Sequence, residues 1–404
     1  MIKRKTYLSR VSAFIDADLI KILVGVRRSG KSSILSEVEQ ILLQRKISKN
    51  NIVKLNFESL DYLDITKKSD FLALAKTLLG KSKEKKYFLL DEVQRIEGWD
   101  EVVNGLRVAG ADVYISGSNS KLLSRELSTY LTGRFVNVHV YPLNFSEYLD
   151  FRRARNVELG TISKEFERFF ERGGFPALHV ADYSLDECDE YIRDVYSTII
   201  LRDLVDRYKI RNIELLNRVI KFIFDNIGNT FSAKSIADFL KSERRALSVE
   251  TIYNYLKWLE DVFVLFRIPR TDLRGKEILK FQEKFYLGDV GLLYAINGRN
   301  SSYSSGLLEN IVFCDLVSKG FEVKVGKNDE KEIDFVAERK GEKLYLQVCD
   351  SLREASTIDR EFSAFDGIED NFPKYVLTNE KKNSSVSRNG ISAVYLPEFL
   401  LSLK

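Results

Sequence analysis

Four residues are spaced for phosphate chemistry: Gly25, Gly30, Lys31 and Ser32 fit the pattern G-x-x-x-x-G-K-S. Glycines let such a loop wrap with its N–H groups pointing inward, and those donors plus a helix N-terminus form an anion nest. Lys31 is then placed for the β- and γ-phosphates, and the Ser32 hydroxyl for Mg²⁺. Val26, Arg27, Arg28, Ser29 and Ser33 complete the loop expected against the nucleotide. Asp91 and Glu92 follow the apolar run Tyr87-Phe88-Leu89-Leu90. They supply what the loop lacks, a metal ligand (Asp91) and a carboxylate to orient an attacking water (Glu92).

These residues need elements that hold them together. Leu19 to Val24 reads as a short buried strand, and Ser32 to Leu43 as a helix with apolar residues at helical spacing. A strand-loop-helix is the context a phosphate-binding loop requires. Two more strand candidates are Ile52 to Phe57 and Asp112 to Ser116, the second running into Gly117-Ser118-Asn119-Ser120. A polar side chain there, Asn119 above all, is a candidate sensor of the γ-phosphate, or else simply part of a turn. Continuous apolar character suits strands buried on both faces, and ligands of such sheets bind at the strands' carboxyl ends. The expectation is an open α/β sheet of about five strands with crossover helices.

Composition sets limits. The chain has 404 residues, long for one core, and a formal net charge of +4, too balanced to imply nucleic acid by itself. Cys188, Cys314 and Cys349 are far apart, and His139 and His179 are the two histidines. A disulfide framework or zinc chemistry is not expected, and both histidines read as structural. The sequence has no apolar run of membrane-spanning length, no signal-peptide core and no internal repeat. A soluble, cytoplasmic protein is expected.

GVRRSGKSS, FLLDEVQ with Trp99 soon after, ISGSNSKLLS, LTGRF and YPLNFSEYL together resemble AAA+-type ATP-binding proteins of archaea and bacteria. The resemblance runs nearly the whole chain. It implies an ASCE/AAA+-like P-loop NTPase sheet, then a winged helix, then a C-terminal restriction-endonuclease-like α/β domain. It also implies ATP and Mg²⁺ as ligands, Asp91 as the Walker B acid and Glu92 as the catalytic carboxylate. Arg134 of LTGRF is the candidate for a γ-phosphate-facing arginine, with an exposed structural role as the alternative.

Residues 160 to 230 read mostly helical, broken at Gly173-Gly174-Phe175-Pro176. Leu215, Leu216, Val219, Ile220, Ile223 and Ile227 form one helical stripe, Ser232 caps a second helix, and Ser248 opens a third. Val249, Ile252, Leu256 and Leu259 are expected to face inward on that third helix. A β-hairpin around residues 271–275 would complete a winged helix. Arg244, Arg245 and Arg274 are candidates for phosphate contacts on double-stranded DNA. The third helix lacks base-reading arginines, so a protein-docking or lid role stands beside DNA binding.

Further on, Glu309 on a helix and Asp334 on a strand match the acids of a restriction-endonuclease-like site, where two carboxylates hold Mg²⁺. Gln347 stands where a second-strand Glu is expected, and Cys349 where the Lys belongs. A neutral amide binds Mg²⁺ more weakly than a carboxylate, and a thiol does not replace an ammonium. A degenerate nuclease fold used for binding or docking is therefore expected, with Lys327, Lys331 and Lys374 as lysines that could migrate into the role.

The domains expected are a P-loop ATPase domain over 1–155, a helical lid over 156–210, a winged helix over 211–298 and the nuclease-like domain over 299–404. The function expected is Mg²⁺-dependent ATP hydrolysis, coupled to a nucleic-acid or protein partner and open to oligomer formation, without membrane association. An ATP-gated Mg²⁺-dependent nuclease and a slow nucleotide-operated docking switch are the alternatives.

Overall fold

The computed structural model describes residues 2–80, 84–118, 133–273, 278–299 and 304–403. Asn119 and Arg274 lie outside them. The chain forms two compact units, Met1–Tyr141 with Asp261–Phe263, and Pro142–Glu260 with Val264–Lys404.

In the first unit, α1 (Lys5–Ser12) precedes β1 (Ile20–Val24), α2 (Lys31–Gln44), β2 (Ile52–Asn56) and α3 (Lys68–Leu79). Next come β3 (Tyr87–Asp91), α4 (Trp99–Val108), β4 (Asp112–Gly117) and β5 (Phe135–His139). The five strands form one parallel sheet in the order β2-β3-β4-β1-β5. Every residue of β1, β3 and β4 is buried, which is why these strands read as near-continuous apolar runs. β4 lies between β1 and β3, and because all three run parallel, the loops after β1 and β3 leave the sheet at the same end.

Lys21 is the exception in β1, a charge buried within an apolar strand. It ion-pairs with Asp112 at the start of β4, and Asp112 also accepts from the Tyr114 hydroxyl at 2.9 Å and the Asp16 N–H at 2.9 Å. Burial pulls the Lys21 pKa down despite its partner. Removing one partner strands a buried charge, so Asp112→Ala is expected to cost about 3 kcal/mol or more, and Lys21→Met combined with Asp112→Leu much less. Denaturant unfolding of the variants checks this; equal losses would show that the pair carries no such asymmetry.

The second unit begins with α5 (Phe145–Ala154), α6 (Ile162–Arg172) and α7 (Leu185–Thr198), the last continuing through a π-helical segment, Ile199–Val205. α8 (Ile213–Asp225), β6 (Thr230–Phe231), α9 (Ala233–Ser242) and α10 (Val249–Asp261) follow. Ser232 caps α9 in a capping box with Ser235, and the Ser248 hydroxyl accepts the Thr251 N–H at 3.1 Å. Leu216, Val219, Ile220, Ile223, Ile252, Leu256 and Leu259 are all buried as expected, but Val249 is exposed because it occupies the first turn of α10.

The hairpin β7 (Leu265–Asp272) and β8 (Ile278–Leu287) leads to α11 (Gly291–Asn297) and α12 (Ser304–Ser318). The chain then forms β9 (Glu322–Asn328), β10 (Lys331–Arg339), β11 (Glu342–Cys349), α13 (Ala355–Ser363), β12 (Lys374–Thr378), β13 (Ser387–Arg388), β14 (Ile391–Tyr395) and α14 (Leu396–Ser402). β7 pairs in parallel with β9, so the hairpin and the C-terminal strands make one nine-stranded mixed sheet, β13-β14-β12-β11-β10-β9-β7-β8-β6.

The Gly173-Gly174-Phe175-Pro176 break has a packing cause. Buried Asp289 accepts the Gly174 N–H at 2.6 Å and the Gly291 N–H at 2.8 Å. A Cβ on Gly173 would lie 2.1 Å from that carboxylate, and one on Gly174 would lie 2.2 Å from the Leu143 carbonyl oxygen. Burial pushes the Asp289 pKa up to about 7, with the two N–H groups opposing.

Candidate functional site

The loop after β1 turns through left-handed or extended glycines, Gly25 at φ 152° and Gly30 at φ 98°. A Cβ on Gly25 would lie 2.1 Å from the Val140 carbonyl oxygen, so the backbone comes too close to the strand-β5 exit for any side chain. Arg28 also takes a left-handed φ of 67°, at the exposed tip of the loop. Val26 and Ser29 are buried, while Ser32 and Ser33 open α2 facing solvent. Buried Lys31 folds back, donating to the Gly25 and Val26 carbonyls at 2.9 Å each.

Asp91 ends β3 and is buried, with its carboxylate accepting from the hydroxyl of Ser116, also buried, in β4. Glu92 follows with φ 56°, a strained left-handed residue that turns its side chain out of the strand line. The Gln94 amide donates to the Glu92 carboxylate at 2.5 Å. Burial pushes the Glu92 pKa up, Lys31 opposes the shift, and the neighbouring Asp91 charge reinforces it. Arg27 and Arg95 both approach Glu58, at 3.8 and 3.6 Å.

The fold thus gathers Lys31, Asp91 and Glu92 at one end of the sheet. Arg134 is elsewhere. Its carbonyl accepts the Ile20 N–H at 2.9 Å, at the amino end of β5, and its side chain is exposed. With β5 parallel to β1 from Ile20 opposite Phe135 to Val24 opposite His139, the loop at Gly25 lies about 20 Å along the sheet at 3.3 Å per residue. Arg134 does not enter the phosphate loop of its own chain.

Three contributors went unrecognised in the sequence. Ser116 and Gln94 sit inside the motifs, but their partners depend on strand order and loop geometry. Arg4 braces the loop from outside, donating to the Ser29 and Tyr141 carbonyls at 2.8 Å each and lying over the Tyr7 ring. The basic run Lys3-Arg4-Lys5 offered cations without a hint of that target. His139 stacks on Tyr141, and burial drives its pKa down to about 3, with Lys31 adding to the shift; it is neutral at physiological pH. Burial likewise lowers His179 to about 4, with its Nε2 on the Gly173 carbonyl at 2.8 Å. All three cysteines are free.

In the second unit, Arg244 is exposed, while Arg245 pairs with Glu214 at 2.6 Å. Glu250, Tyr253, Asn254 and Lys257 form the exposed face of α10. Glu309, Asp334 and Gln347 do come together, with Asp334 on β10 and Gln347 on β11 joined by a hydrogen bond. Gln347 does not turn toward the acids as a ligand, however. Its carbonyl accepts the Asp334 N–H at 2.7 Å and its amide donates to Glu361 at 3.0 Å. Cys349 directs its thiol at the Leu377 carbonyl, and burial raises its pKa to about 12. Lys331 and Lys374 make their contacts with Ser363 and Asp370 instead. The ammonium among these acids belongs to Lys284 of β8, which the sequence did not single out.

Among the described residues no helix is long and apolar enough to cross a membrane. A family model described as an AAA domain matches residues 17–149, and a domain of unknown function (DUF8612) matches residues 163–303. An uncharacterized Haemophilus influenzae protein is 38% identical over 404 residues, covering 99% of each chain. The uncharacterized protein MJ1544 of Methanocaldococcus jannaschii is 31% identical, over 86% of this chain and 78% of its own. In fold, the Walker-type ATPase PABY2304 of Pyrococcus abyssi superposes with a TM-score of 0.52 at 14% identity, over 74% of this chain and 96% of that one. A parallel sheet of order β2-β3-β4-β1-β5, a glycine-bounded loop after β1 and an acidic pair at the end of β3 agree with these matches: the first unit has a P-loop NTPase fold with an AAA-type domain over residues 17–149, and the chain belongs to the family of the Haemophilus influenzae protein and MJ1544.

Proposed function

We propose that the first unit binds and hydrolyses ATP with Mg²⁺. The observation that carries this reading is the convergence of Lys31, Asp91 and Glu92 at the carboxyl end of one parallel sheet. Lys31 exchanges its two loop carbonyls for phosphate oxygens, and the N-terminus of α2, which begins at Lys31, would offer its free N–H groups to the same anion. Asp91 and Ser32 are the residues that would hold Mg²⁺. They offer a carboxylate and a hydroxyl. Few protein ligands, all oxygen, suit an ion that keeps waters and substrate phosphates around it. Bound there, it would neutralise charge developing on the phosphates. Glu92 takes the proton of the attacking water, and its raised pKa makes it a stronger base than a free carboxylate. Gln94 holds it in place.

The second unit carries the partner surface in this reading. Exposed Arg244 and Lys241 lie beside α10, whose outer face mixes charges and offers no arginine to base edges. Duplex DNA binding is therefore expected to be salt-sensitive and weakly sequence-specific. Neutralising Arg244, Arg245 and Arg274 together should flatten the slope of log K against log salt by roughly one per lost contact. Binding indifferent to salt and to these changes would assign the face to a protein partner. ATP turnover in Mg²⁺, with and without duplex, tests the coupling itself; no turnover in either condition would remove the hydrolytic reading.

A further inference from the structure

The acids of the second unit surround a cation that the chain itself provides. The Lys284 Nζ lies 2.8 Å from Glu309 Oε2, 3.0 Å from Glu332 Oε1 and 3.3 Å from Asp334 Oδ1. Lys284 is buried in β8, Glu309 lies on α12, and Glu332 and Asp334 lie on β10, so one ammonium ties three elements. Each of the three carboxylates also accepts a further hydrogen bond from the chain. Asp334 Oδ2 accepts the Val348 N–H at 2.9 Å, Glu309 Oε2 accepts the Tyr286 hydroxyl at 2.7 Å, and Glu332 Oε2 accepts from Arg270 at 3.1 Å. Gln347 is spent on the Asp334 N–H and on Glu361.

A nuclease-like site needs these same carboxylates for a divalent ion, and the residues present do not fit one. A metal takes carboxylate oxygens at 2.0–2.6 Å and needs lone pairs free of competing donors. Here an ammonium stands among the oxygens, and placing a dication beside it would bring like charges together in a buried site. We infer that Lys284 is the resident cation of this centre, occupying the place of the divalent ion, and that the centre takes up Mg²⁺ or Mn²⁺ when the Lys284 charge is removed. Glu309 and Asp334 are buried and Glu332 is half-buried; left unneutralised, the two buried charges would carry a severe desolvation cost, which the internal ammonium offsets. Beside the centre, Glu309 also lines a polar cavity of about 140 Å³ together with Asp225, Asn229 and Ser305 among others. The inference is independent of ATP hydrolysis in the first unit.

The experiment is Mn²⁺ titration of the full-length, nucleotide-free protein, read by the electron paramagnetic resonance of free Mn²⁺, with thermal melts in parallel. For the unaltered protein we expect no Mn²⁺ site that Asp334→Asn removes, and no Asp334-dependent cleavage of linear, circular or branched DNA in Mg²⁺ or Mn²⁺. Lys284→Gln should gain one site binding Mn²⁺ at least 10-fold more tightly, together with a melting temperature that Mn²⁺ raises. Adding Asp334→Asn to Lys284→Gln should remove the site, and Lys284→Arg should not create it. A native Mn²⁺ site lost in Asp334→Asn overturns the inference, and so does a folded Lys284→Gln that binds no Mn²⁺. Should Lys284→Gln fail to fold, the native titration against Asp334→Asn decides alone, since a site present there contradicts a resident ammonium and its absence supports one.

Discussion

Glu92→Gln is expected to bind ATP as tightly as the native protein while lowering kcat by about 10²–10⁴-fold, the range lost with a general base. The amide keeps the size and the Gln94 contact of the carboxylate but cannot take a proton. Lys31→Ala should instead abolish binding, because it removes the buried ammonium of the loop. The two variants therefore separate binding from chemistry. The pH profile adds a second signature. A base works only when deprotonated, and burial raises the Glu92 pKa, so native kcat should fall with acid earlier than an ordinary carboxylate would dictate. Glu92→Gln should lose that limb. Nucleotide titration and phosphate release measure both effects, and full turnover in Glu92→Gln would remove Glu92 from the mechanism.

Arg134 yields the other large effect. Its position at the amino end of β5 keeps it from the nucleotide loop of its own chain, so it acts on a γ-phosphate from a neighbouring copy or not at all. In the first case Arg134→Ala should lower kcat by about 10³-fold with ATP affinity nearly unchanged. Activity per subunit should rise with protein concentration. Mixing is the decisive measurement: Arg134→Ala supplies an intact nucleotide site, Glu92→Gln supplies an intact arginine, and the two inactive proteins together should recover turnover. Unchanged kcat in Arg134→Ala would return the residue to the surface, where its side chain already is exposed.

The spacing of Gly25, Gly30, Lys31 and Ser32, and the acids after Tyr87 to Leu90, located the strand-loop-helix and its parallel sheet from sequence alone. Both are local: a glycine-bounded turn between a strand and a helix is written in contiguous residues, and buried parallel strands are apolar on both faces. The helical stripes and the Ser232 and Ser248 caps were legible for the same reason. Pairing was not. That β4 lies between β1 and β3, so that Ser116 meets Asp91, is a property of strand order, which no contiguous run encodes. The same holds for the parallel join of β7 to β9, which merges the hairpin with the C-terminal strands, and for Asp289 securing a glycine pair more than a hundred residues earlier. Lys284 is the clearest case. The sequence pointed to Cys349 as a missing ammonium, because a motif places its residues by position along one strand. Electrostatics is indifferent to chain position, and the tertiary fold brought the charge from β8 to the buried acids that needed it.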